Sequence, residues 1–300
     1  MKVLVTGAAG FIGKYVVQAL QQQGFSVIAL DNLYKGKREN IGFDIPFYQM
    51  DITHDELENV FQAEKPEYVI HLAAQSSVMD SITDPVVDCQ INIAGTLNML
   101  KNSTKYGVKK FVLASSAAVY GNPTSIPVLE NSKLTPLSFY ALSKISAEKY
   151  TLLYEKIFGL KSCILRFSNV YGPLQAGGVI TSILEKLHQG EYPIIYAGNQ
   201  TRDFVYVKDV ANACVKAIKT DMSGVFNIST STEISIKEVY EQITDMVQSK
   251  VKPIIESSRE GEIVRSALSN TKAIAELSWS PSYSFSDGLK ETVDFYKVKY

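Results

Sequence analysis

The sequence predicts an α/β fold, a doubly wound parallel sheet followed by a smaller C-terminal α/β lobe. Three observations support this prediction: short apolar runs of strand length, helical patterns between them, and a glycine-rich turn after the first run. Strands of a parallel sheet are covered by helices on both faces, so they read as continuous apolar runs. Alternation of such runs with helices is typical of this fold. The runs are Val3-Leu4-Val5, Val27 to Leu30, Tyr68 to Leu72, Phe111 to Ala114 and Cys163 to Phe167.

Two amphipathic patterns define helices between these strands. Asp84 and Pro85 are a favourable N-cap and first residue for the second helix. Turn signals become frequent after Gly172-Pro173, so we expect a first domain over 1–172 and a second lobe over 173–300. The helix-then-strand pattern of 205–228 is a candidate to return to the first sheet. The two stripes consist of Ile12, Val16, Ala19 and Leu20, and of Val86, Ile93, Leu97 and Leu100.

Composition excludes several classes of function. Thirty basic and 31 acidic residues leave a net charge of −1, which argues against nucleic acid or an anionic membrane as the main partner. Cys89, Cys163 and Cys214 form no CxxC pair, and we expect them to be small buried residues in a reduced, cytoplasmic protein. His71 is expected in the core. The sequence contains neither a signal-peptide pattern nor an apolar stretch long enough to span a bilayer.

A glycine-rich turn follows the first strand and begins the first helix. Gly7, Gly10 and Gly13 have GxxGxxG spacing. Such glycines permit a tight turn and let a pyrophosphate approach the backbone N–H groups at the helix N-terminus. A simple tight turn is the alternative interpretation of the motif alone. Its position in a strand–helix–strand unit favours a Rossmann-type dinucleotide site.

An acidic residue near the end of the second strand selects the cofactor. Asp31 lies 18 residues after Gly13, where a carboxylate accepts hydrogen bonds from ribose hydroxyls and repels a 2′-phosphate. This favours NAD over NADP. The competing feature is a basic segment that could hold a phosphate or form a solvated loop, consisting of Lys35, Lys37 and Arg38. Asp51-Ile52 is either an adenine contact or a capped turn.

Tyr140 and Lys144 lie four residues apart on a predicted helix that begins near Ser138, so they share one face. A free tyrosine has a pKa of about 10, and lowering it by about three units takes roughly 4 kcal/mol. A nearby ammonium and a cationic nicotinamide ring both favour the phenolate. Ser116 follows the fifth strand, at the sheet edge where such folds bind ligands. The alternatives are a tyrosine packed beside a surface lysine, and a turn-forming serine.

Several segments resemble the extended short-chain dehydrogenase/reductase superfamily, specifically its NAD-dependent epimerase/dehydratase family. They are Val5 to Gly13, Asp31-Asn32-Leu33 and His71 to Gln75. Ser115 to Gly121 and Leu165 to Asn169 are most similar to UDP-glucose 4-epimerases. The resemblance implies cofactor contacts at Gly7, Gly10, Phe11, Ile12, Gly13, Asp31, Asn32, Asp51, Ile52, Leu72, Ala73, Ala74, Gln75, Asn92, Tyr140, Lys144 and Phe167.

The resemblance also implies the reaction. Ser116 and Tyr140 would transfer the proton of a sugar 4-hydroxyl, Lys144 would bind the cofactor and tune Tyr140, and NAD would take and return the C4 hydride. This isomerase chemistry passes through a 4-keto sugar and needs no metal ion. Related dehydratases and decarboxylases carry acidic residues after the serine, whereas this chain has Ala117 and Ala118. Those reactions are therefore disfavoured.

The resemblance places a UDP-sugar against the second lobe. Arg202 and Arg259 would clamp the diphosphate, Glu262 would contact the ribose, and Asn169 would contact the sugar nucleotide. Surface ion pairs are the alternative for each arginine. Ser266 occupies the position that limits sugar size, where a small residue leaves room for an N-acetyl group; a surface serine is the alternative.

Other functions remain open at this point. One is a nucleotide-sugar oxidoreductase with net redox change, and another is a UDP-glucuronate or UDP-pentose 4-epimerase. A third is an NAD-sensing scaffold without turnover. By the resemblance, we expect a homodimer formed through the helices that contain residues 84–106 and 138–158.

Overall fold

The protein is described by a computed structural model over residues 1–196, 200–256 and 263–299. The strands of its central sheet are β1 (Lys2–Thr6), β2 (Ser26–Asp31), β3 (Phe47–Gln49), β4 (Tyr68–His71), β5 (Lys110–Ser116), β6 (Lys161–Phe167) and β11 (Gly224–Ile228). These seven strands have the order β3-β2-β1-β4-β5-β6-β11, and every neighbouring pair is parallel. The predicted doubly wound parallel sheet is therefore confirmed.

Helices cover both faces of this sheet. On one face α1 (Phe11–Gln22) packs against α8 (Val207–Lys219). On the other face lie α2 (Leu57–Glu64), α5 (Thr96–Lys105) and α6 (Phe139–Phe158). Apolar side chains of the strands are thereby removed from water on both sides, which is the main stabilising contribution to such a fold.

The start of α6 positions the predicted catalytic helix. Ser138 is its N-cap and accepts a hydrogen bond from the Ala141 N–H at 3.1 Å, and Gly159 ends the helix in a left-handed conformation. Two short helices precede it in the chain, α3 (Val78–Thr83) and α4 (Pro85–Cys89). Asp84 caps α4 through the Val87 N–H at 3.0 Å, as predicted.

The second helical stripe was predicted with the wrong phase. A π-helical turn, Gln90–Gly95, joins α4 to α5. Its wider winding shifts the helix phase, so one regular period cannot describe both halves. Val86 is consequently 62% exposed, while Asn92, which the stripe did not include, is buried.

The remaining elements are smaller. Pairs form between β7 (Asn169–Tyr171) and β10 (Phe204–Tyr206), between β8 (Ile194–Tyr196) and β13 (Ile254–Glu256), and between β9 (Thr201–Arg202) and β12 (Ile234–Ser235). The helices are α7 (Val179–His188), α9 (Ile236–Val247), α10 (Thr271–Leu277) and α11 (Phe285–Lys299). Residues of α7, α9 and α11 form a separate apolar cluster. The second lobe is thus discontinuous, because α8 and β11 lie against the first sheet.

Two further expectations concern individual residues. Cys163 and Cys214 are buried as predicted, but Cys89 is exposed because it lies on the outer side of α4. His71 is buried in the core, as expected. Across the described ranges, no helix is both long and apolar enough to cross a membrane.

Candidate active site

The glycine-rich turn between β1 and α1 has the geometry of an anion cradle. Gly7 has φ +66°, and a Cβ there would lie 2.8 Å from the Ala73 nitrogen. A Cβ on Gly13 would lie 2.1 Å from the Gly7 carbonyl oxygen, so only glycine permits this packing of α1 on the turn. Gly10 is the N-cap of α1, and no side chain in the described ranges caps this helix. Its first N–H groups therefore fit a pyrophosphate.

Asp31 is held rigidly at the end of β2. One carboxylate oxygen accepts the Ala9 N–H at 2.9 Å, and the other accepts the Leu33 N–H at 2.8 Å. A carboxylate has about four acceptor positions, so ribose hydroxyls can still bind. The predicted location of Asp31 beside the glycine-rich turn is therefore what the structure shows.

The basic segment after β2 has partners of its own. Lys35 pairs with Asp80 at 3.2 Å and Lys37 with Glu39 at 3.7 Å. The Arg38 guanidinium stacks on the Phe47 ring at 4.7 Å and donates to the Ile41 carbonyl. These contacts favour the loop interpretation over a 2′-phosphate site and agree with NAD as the cofactor.

Asp51 and Asn32 contact each other just after the ends of β3 and β2. The Asn32 amide donates to Asp51 at 2.7 Å, and the backbone N–H and hydroxyl of Thr53 donate to the other carboxylate oxygen. Burial opposes ionisation of Asp51, but the hydrogen bonds from Thr53 and Asn32 hold its pKa below the usual value. Asp51 thus caps a turn, one of its two predicted roles, and Ile52 next to it is buried.

The segment after β4 is clamped by the π-helical turn. The Asn92 side chain accepts the Gln75 N–H at 2.9 Å and donates to the Gln75 carbonyl at 2.9 Å. The Gln75 amide nitrogen donates to the Ser77 carbonyl and to Asp88. Asn92 and the Gln75 side chain therefore fix the backbone of this segment, in which Leu72, Ala73 and Ala74 are partly exposed.

Ser116, Tyr140 and Lys144 converge above the carboxyl end of the sheet. Ser116 is close enough to Tyr140 to affect the pKa of its phenol, and the Ser116 hydroxyl accepts the Ala118 N–H at 3.2 Å. The Lys144 ammonium lies 5.9 Å from the centre of the Tyr140 ring and donates to the Ala114 carbonyl at 3.0 Å. The three residues that the sequence singled out are thus brought together.

The electrostatics differ from the sequence expectation. Burial raises the pKa of Tyr140, the Ser116 hydrogen bond lowers it, and the Asp88 carboxylate raises it further. Burial lowers the pKa of Lys144 to about 8, against the opposite effect of Asp88 and Glu148. The predicted lowering of the Tyr140 pKa also counted on a cationic nicotinamide ring, so it stays a prediction for the complex with the cofactor.

A buried network of hydrogen bonds and an ion pair lies behind Ser116, Tyr140 and Lys144. Glu148, one turn after Lys144, pairs with the Arg166 guanidinium at 2.6 and 2.9 Å and accepts the Ser115 hydroxyl. Arg166 also donates to the Tyr120 hydroxyl at 2.7 Å. Strands β5 and β6 are thereby tied to α6 behind the reacting groups. Sequence reasoning missed Glu148 and Asp88; Glu148 lies four residues after Lys144 and so shares its helix face, which is a usable signal.

The residues predicted to hold the substrate have different surroundings. Asn169 is exposed at the start of β7, and Ser266 is buried rather than on the surface. Arg202 is partly exposed and donates to the Thr201 carbonyl at 2.8 Å. Arg259 and Glu262 lie outside the described residues. Of the remaining cofactor predictions, Phe167 is buried at the end of β6, and Phe11 and Ile12 pack partly against the second-lobe cluster.

Comparison with known proteins agrees with this geometry. The sequence profile of the NAD dependent epimerase/dehydratase family matches residues 3–229. The UDP-glucose 4-epimerase of Thermotoga maritima, solved with UDP-glucose, is 38% identical with a TM-score of 0.97, over 100% of this chain and 99% of that one. The UDP-glucose 4-epimerase of Thermus thermophilus, solved with NAD, is 37% identical with a TM-score of 0.93, over 99% of both chains.

A third solved structure is that of an epimerase named for a different sugar. It is the UDP-N-acetylglucosamine 4-epimerase of Methanobrevibacter ruminantium, in complex with UDP-N-acetylmuramic acid. It is 32% identical to this chain with a TM-score of 0.95, over 100% of this chain and 99% of that one. The similar proteins therefore include epimerases of both plain and N-acetylated sugars.

Proposed function

This chain belongs to the NAD dependent epimerase/dehydratase family, and we propose that its Ser116, Tyr140 and Lys144 carry out the 4-epimerisation of a UDP-hexose. The enzyme is an isomerase that uses NAD. The grouping of Ser116 and Lys144 around Tyr140, at the same edge of the sheet as the glycine-rich turn, is the observation that carries this assignment of roles.

The chain's own residues move the proton. Tyr140 accepts the proton of the sugar 4-hydroxyl, and Ser116 holds that hydroxyl and the phenol in line. Lys144 stabilises the phenolate by its charge and is anchored by the Ala114 carbonyl. When bound, NAD would supply reversible hydride transfer at C4 and a positive charge that favours the phenolate. The glycine-rich turn, Asp31 and Lys144 are the residues that hold it.

The substrate is held from the other side. We assign the diphosphate to Arg202 and Arg259, the uridine ribose to Glu262, and the hexose to Asn169 and Ser266. Ala117 and Ala118 follow Ser116 in a short turn, Ala117–Tyr120, and carry no proton-transfer group. Their side chains disfavour elimination or decarboxylation of the keto sugar.

Turnover without added cofactor distinguishes epimerisation from net oxidoreduction. We expect purified protein to convert UDP-glucose to UDP-galactose, detected by NMR, without added NAD and without accumulating NADH.

Because Ser266 is small, UDP-N-acetylglucosamine should also be converted. Ser266→Tyr should reduce this conversion by at least about 100-fold, since an overpacked pocket excludes the acetyl group.

The same assay contains its own controls. Ser266→Tyr should retain UDP-glucose turnover within a few-fold, and Ser266→Ala should keep both activities. An inert N-acetyl sugar with active UDP-glucose would refute the size prediction. Exclusive turnover of UDP-glucuronate would instead support the uronate alternative, and a stoichiometric rise in NADH would support an oxidoreductase.

We also propose a homodimer through the helices of residues 84–106 and 138–158, of which α4 and α6 take part together with the neighbouring α3. Adjacent outer faces of these helices carry exposed apolar side chains, which monomeric proteins rarely cluster. These side chains are Met79, Ile82, Val86, Leu142, Leu153 and Ile157. Pairing the same face of two copies would bury them by a two-fold, self-complementary contact.

Light scattering after size exclusion tests this interface. The native protein should elute with twice the 33.2 kDa chain mass, and Val86→Glu with Leu153→Glu should reduce it to one chain mass. Ile274→Glu is the control, because Ile274 is an exposed apolar residue of α10, which packs against α8 on the opposite face of the sheet from α6. A native protein that elutes as one chain would contradict the proposal.

We also propose that the protein is located in the reducing environment of the cytoplasm. All three cysteines are free thiols, two of them buried, and a stable disulfide framework is absent from the described residues. NAD and UDP-sugars are also intracellular metabolites. Fractionation of cells that express the chain tests this directly, and its recovery from a secreted or membrane fraction would contradict it.

A further inference from the structure

Asp88, in α4, has a buried carboxylate that the proposed proton transfer does not use. Asp88 is 1% exposed. Its oxygen Oδ1 accepts from the Asn92 amide at 3.0 Å and from the Gln75 amide at 3.1 Å. Both partners are neutral. A buried charge is costly unless other groups compensate for it, so nearby positive charge is expected to matter for Asp88.

Hydrogen bonds connect Asp88 to the reacting helix. The two hydrogens of the Asn92 amide are shared among Asp88, the Gln75 carbonyl and the Ser143 hydroxyl at 3.0 Å, and that hydroxyl donates to the Tyr140 carbonyl at 2.9 Å. Ser143 immediately precedes Lys144. The π-helical turn buries Asn92 between Asp88, the segment after β4 and α6. Asp88 therefore acts at once on the backbone of Gln75 and on the turn that carries Tyr140.

The charged groups around Lys144 come from several elements. Glu148 on α6 is neutralised by the Arg166 guanidinium of β6. His71 on β4 is neutral, because burial and then the Lys144 charge lower its pKa to about 3. Tyr140 on α6 carries no charge before ionisation. Of the two carboxylates that act on Lys144, Asp88 is the one without an arginine partner among the described residues.

We propose that Asp88 is a positioning residue for the epimerisation, whose buried carboxylate acts on the Lys144 ammonium while it orients Asn92 and Gln75. This inference rests on the proposed function for its effect on turnover. The effect of the Asp88 charge on Lys144 does not depend on which sugar the enzyme converts. The Asp88 charge also opposes ionisation of Tyr140. It therefore favours a protonated Lys144 but makes the Tyr140 phenolate harder to form.

The direction of the pH dependence follows from the sign of this charge. Asp88 raises the pKa of both Tyr140 and Lys144. Asp88→Asn removes the charge and keeps the shape, so both pKa values should fall. Turnover needs an ionised Tyr140 and a protonated Lys144, so both limbs of the kcat profile should move to lower pH by about one unit. A merely structural defect would lower the maximum without moving the limbs.

Titration of Lys144 itself provides a measurement that does not depend on turnover. In protein labelled with ¹³C at lysine Cε, the Lys144 resonance is identified by its loss in Lys144→Met. We expect its midpoint in native protein near the pKa of about 8 and lower by about one unit in Asp88→Asn. Asp88→Ser, a smaller neutral substitution, gives a second measurement should the first variant not fold. Asp80→Asn, which neutralises an exposed aspartate of α3, is the matched control.

The outcomes separate the two proposals. An unchanged Lys144 midpoint in the neutral variants overturns the role of Asp88, whatever the enzyme's activity. A lowered midpoint with no turnover of any UDP-sugar in the native protein refutes the proposed function and leaves the charge coupling standing. Asp88→Glu retains the charge, so its Lys144 midpoint should return toward the native value; failure to return would also overturn the proposal.

Discussion

Tyr140→Phe is expected to lower kcat by about 1,000-fold or more, while the purified protein still carries NAD. Proton transfer by a positioned side chain contributes typically 10²–10⁴-fold, and phenylalanine keeps the ring but removes the group that transfers the proton. The glycine-rich turn, Asp31 and Lys144 are unchanged, so cofactor retention should persist. UDP-galactose formation by NMR and NAD released by acid measure the two quantities.

The helix offers a matched control for this substitution. Tyr150 lies on α6 and is 39% exposed, away from the reacting end. Tyr150→Phe should therefore leave both kcat and NAD content unchanged. Native-like turnover by Tyr140→Phe would overturn the assignment, and loss of NAD from this variant would show that its effect is on binding and not on proton transfer.

Glu148→Gln is expected to cost about 3–5 kcal/mol of the free energy of unfolding, because it leaves the Arg166 guanidinium buried without its counter-charge. Arg166 and Glu148 have side chains that are 5% and 3% exposed. The glutamine can still accept hydrogen bonds but carries no charge. For a chain of this size the loss should lower Tm by roughly 10 °C, measured by calorimetry.

A surface pair of the same chemistry provides the comparison. Glu241 pairs with Lys237 one turn away at 3.6 Å, and both side chains are largely exposed. Glu241→Gln should leave Tm unchanged within error, because water screens such pairs. Equal Tm values for the two variants would contradict the importance of the buried pair. Replacing both partners by Leu and Met should recover much of the lost stability, since no charge is then left unpaired.

Much of the fold could be predicted because its signals are local. The apolar runs before Asp31 and His71, and the glycines of the first turn, each have one simple structural explanation. Tyr140, Lys144 and Ser116 were found for the same reason. A four-residue spacing places two side chains on one helix face, and a strand end places the third at the ligand edge of the sheet.

What the sequence did not reveal depends on contacts between distant segments. The π-helical turn changes which residues of 84–105 are buried, and no periodicity indicates it. Asp88 resembles any polar residue of an amphipathic helix until Gln75 and Asn92 are seen around it. The pKa of Tyr140 could not be predicted either, because burial, Ser116 and Asp88 act on it together.

The position of β11 at the end of the sheet constrains how the chain is made. β6 pairs with β11 along its outer edge, yet more than fifty residues of chain separate the two strands. During synthesis, β6 therefore leaves the ribosome with unpaired backbone N–H and C=O groups along this edge, and the sheet cannot be completed until residue 228 has emerged. A fragment that ends near residue 172 would keep that edge open and should aggregate, even though it contains the glycine-rich turn, Ser116, Tyr140 and Lys144.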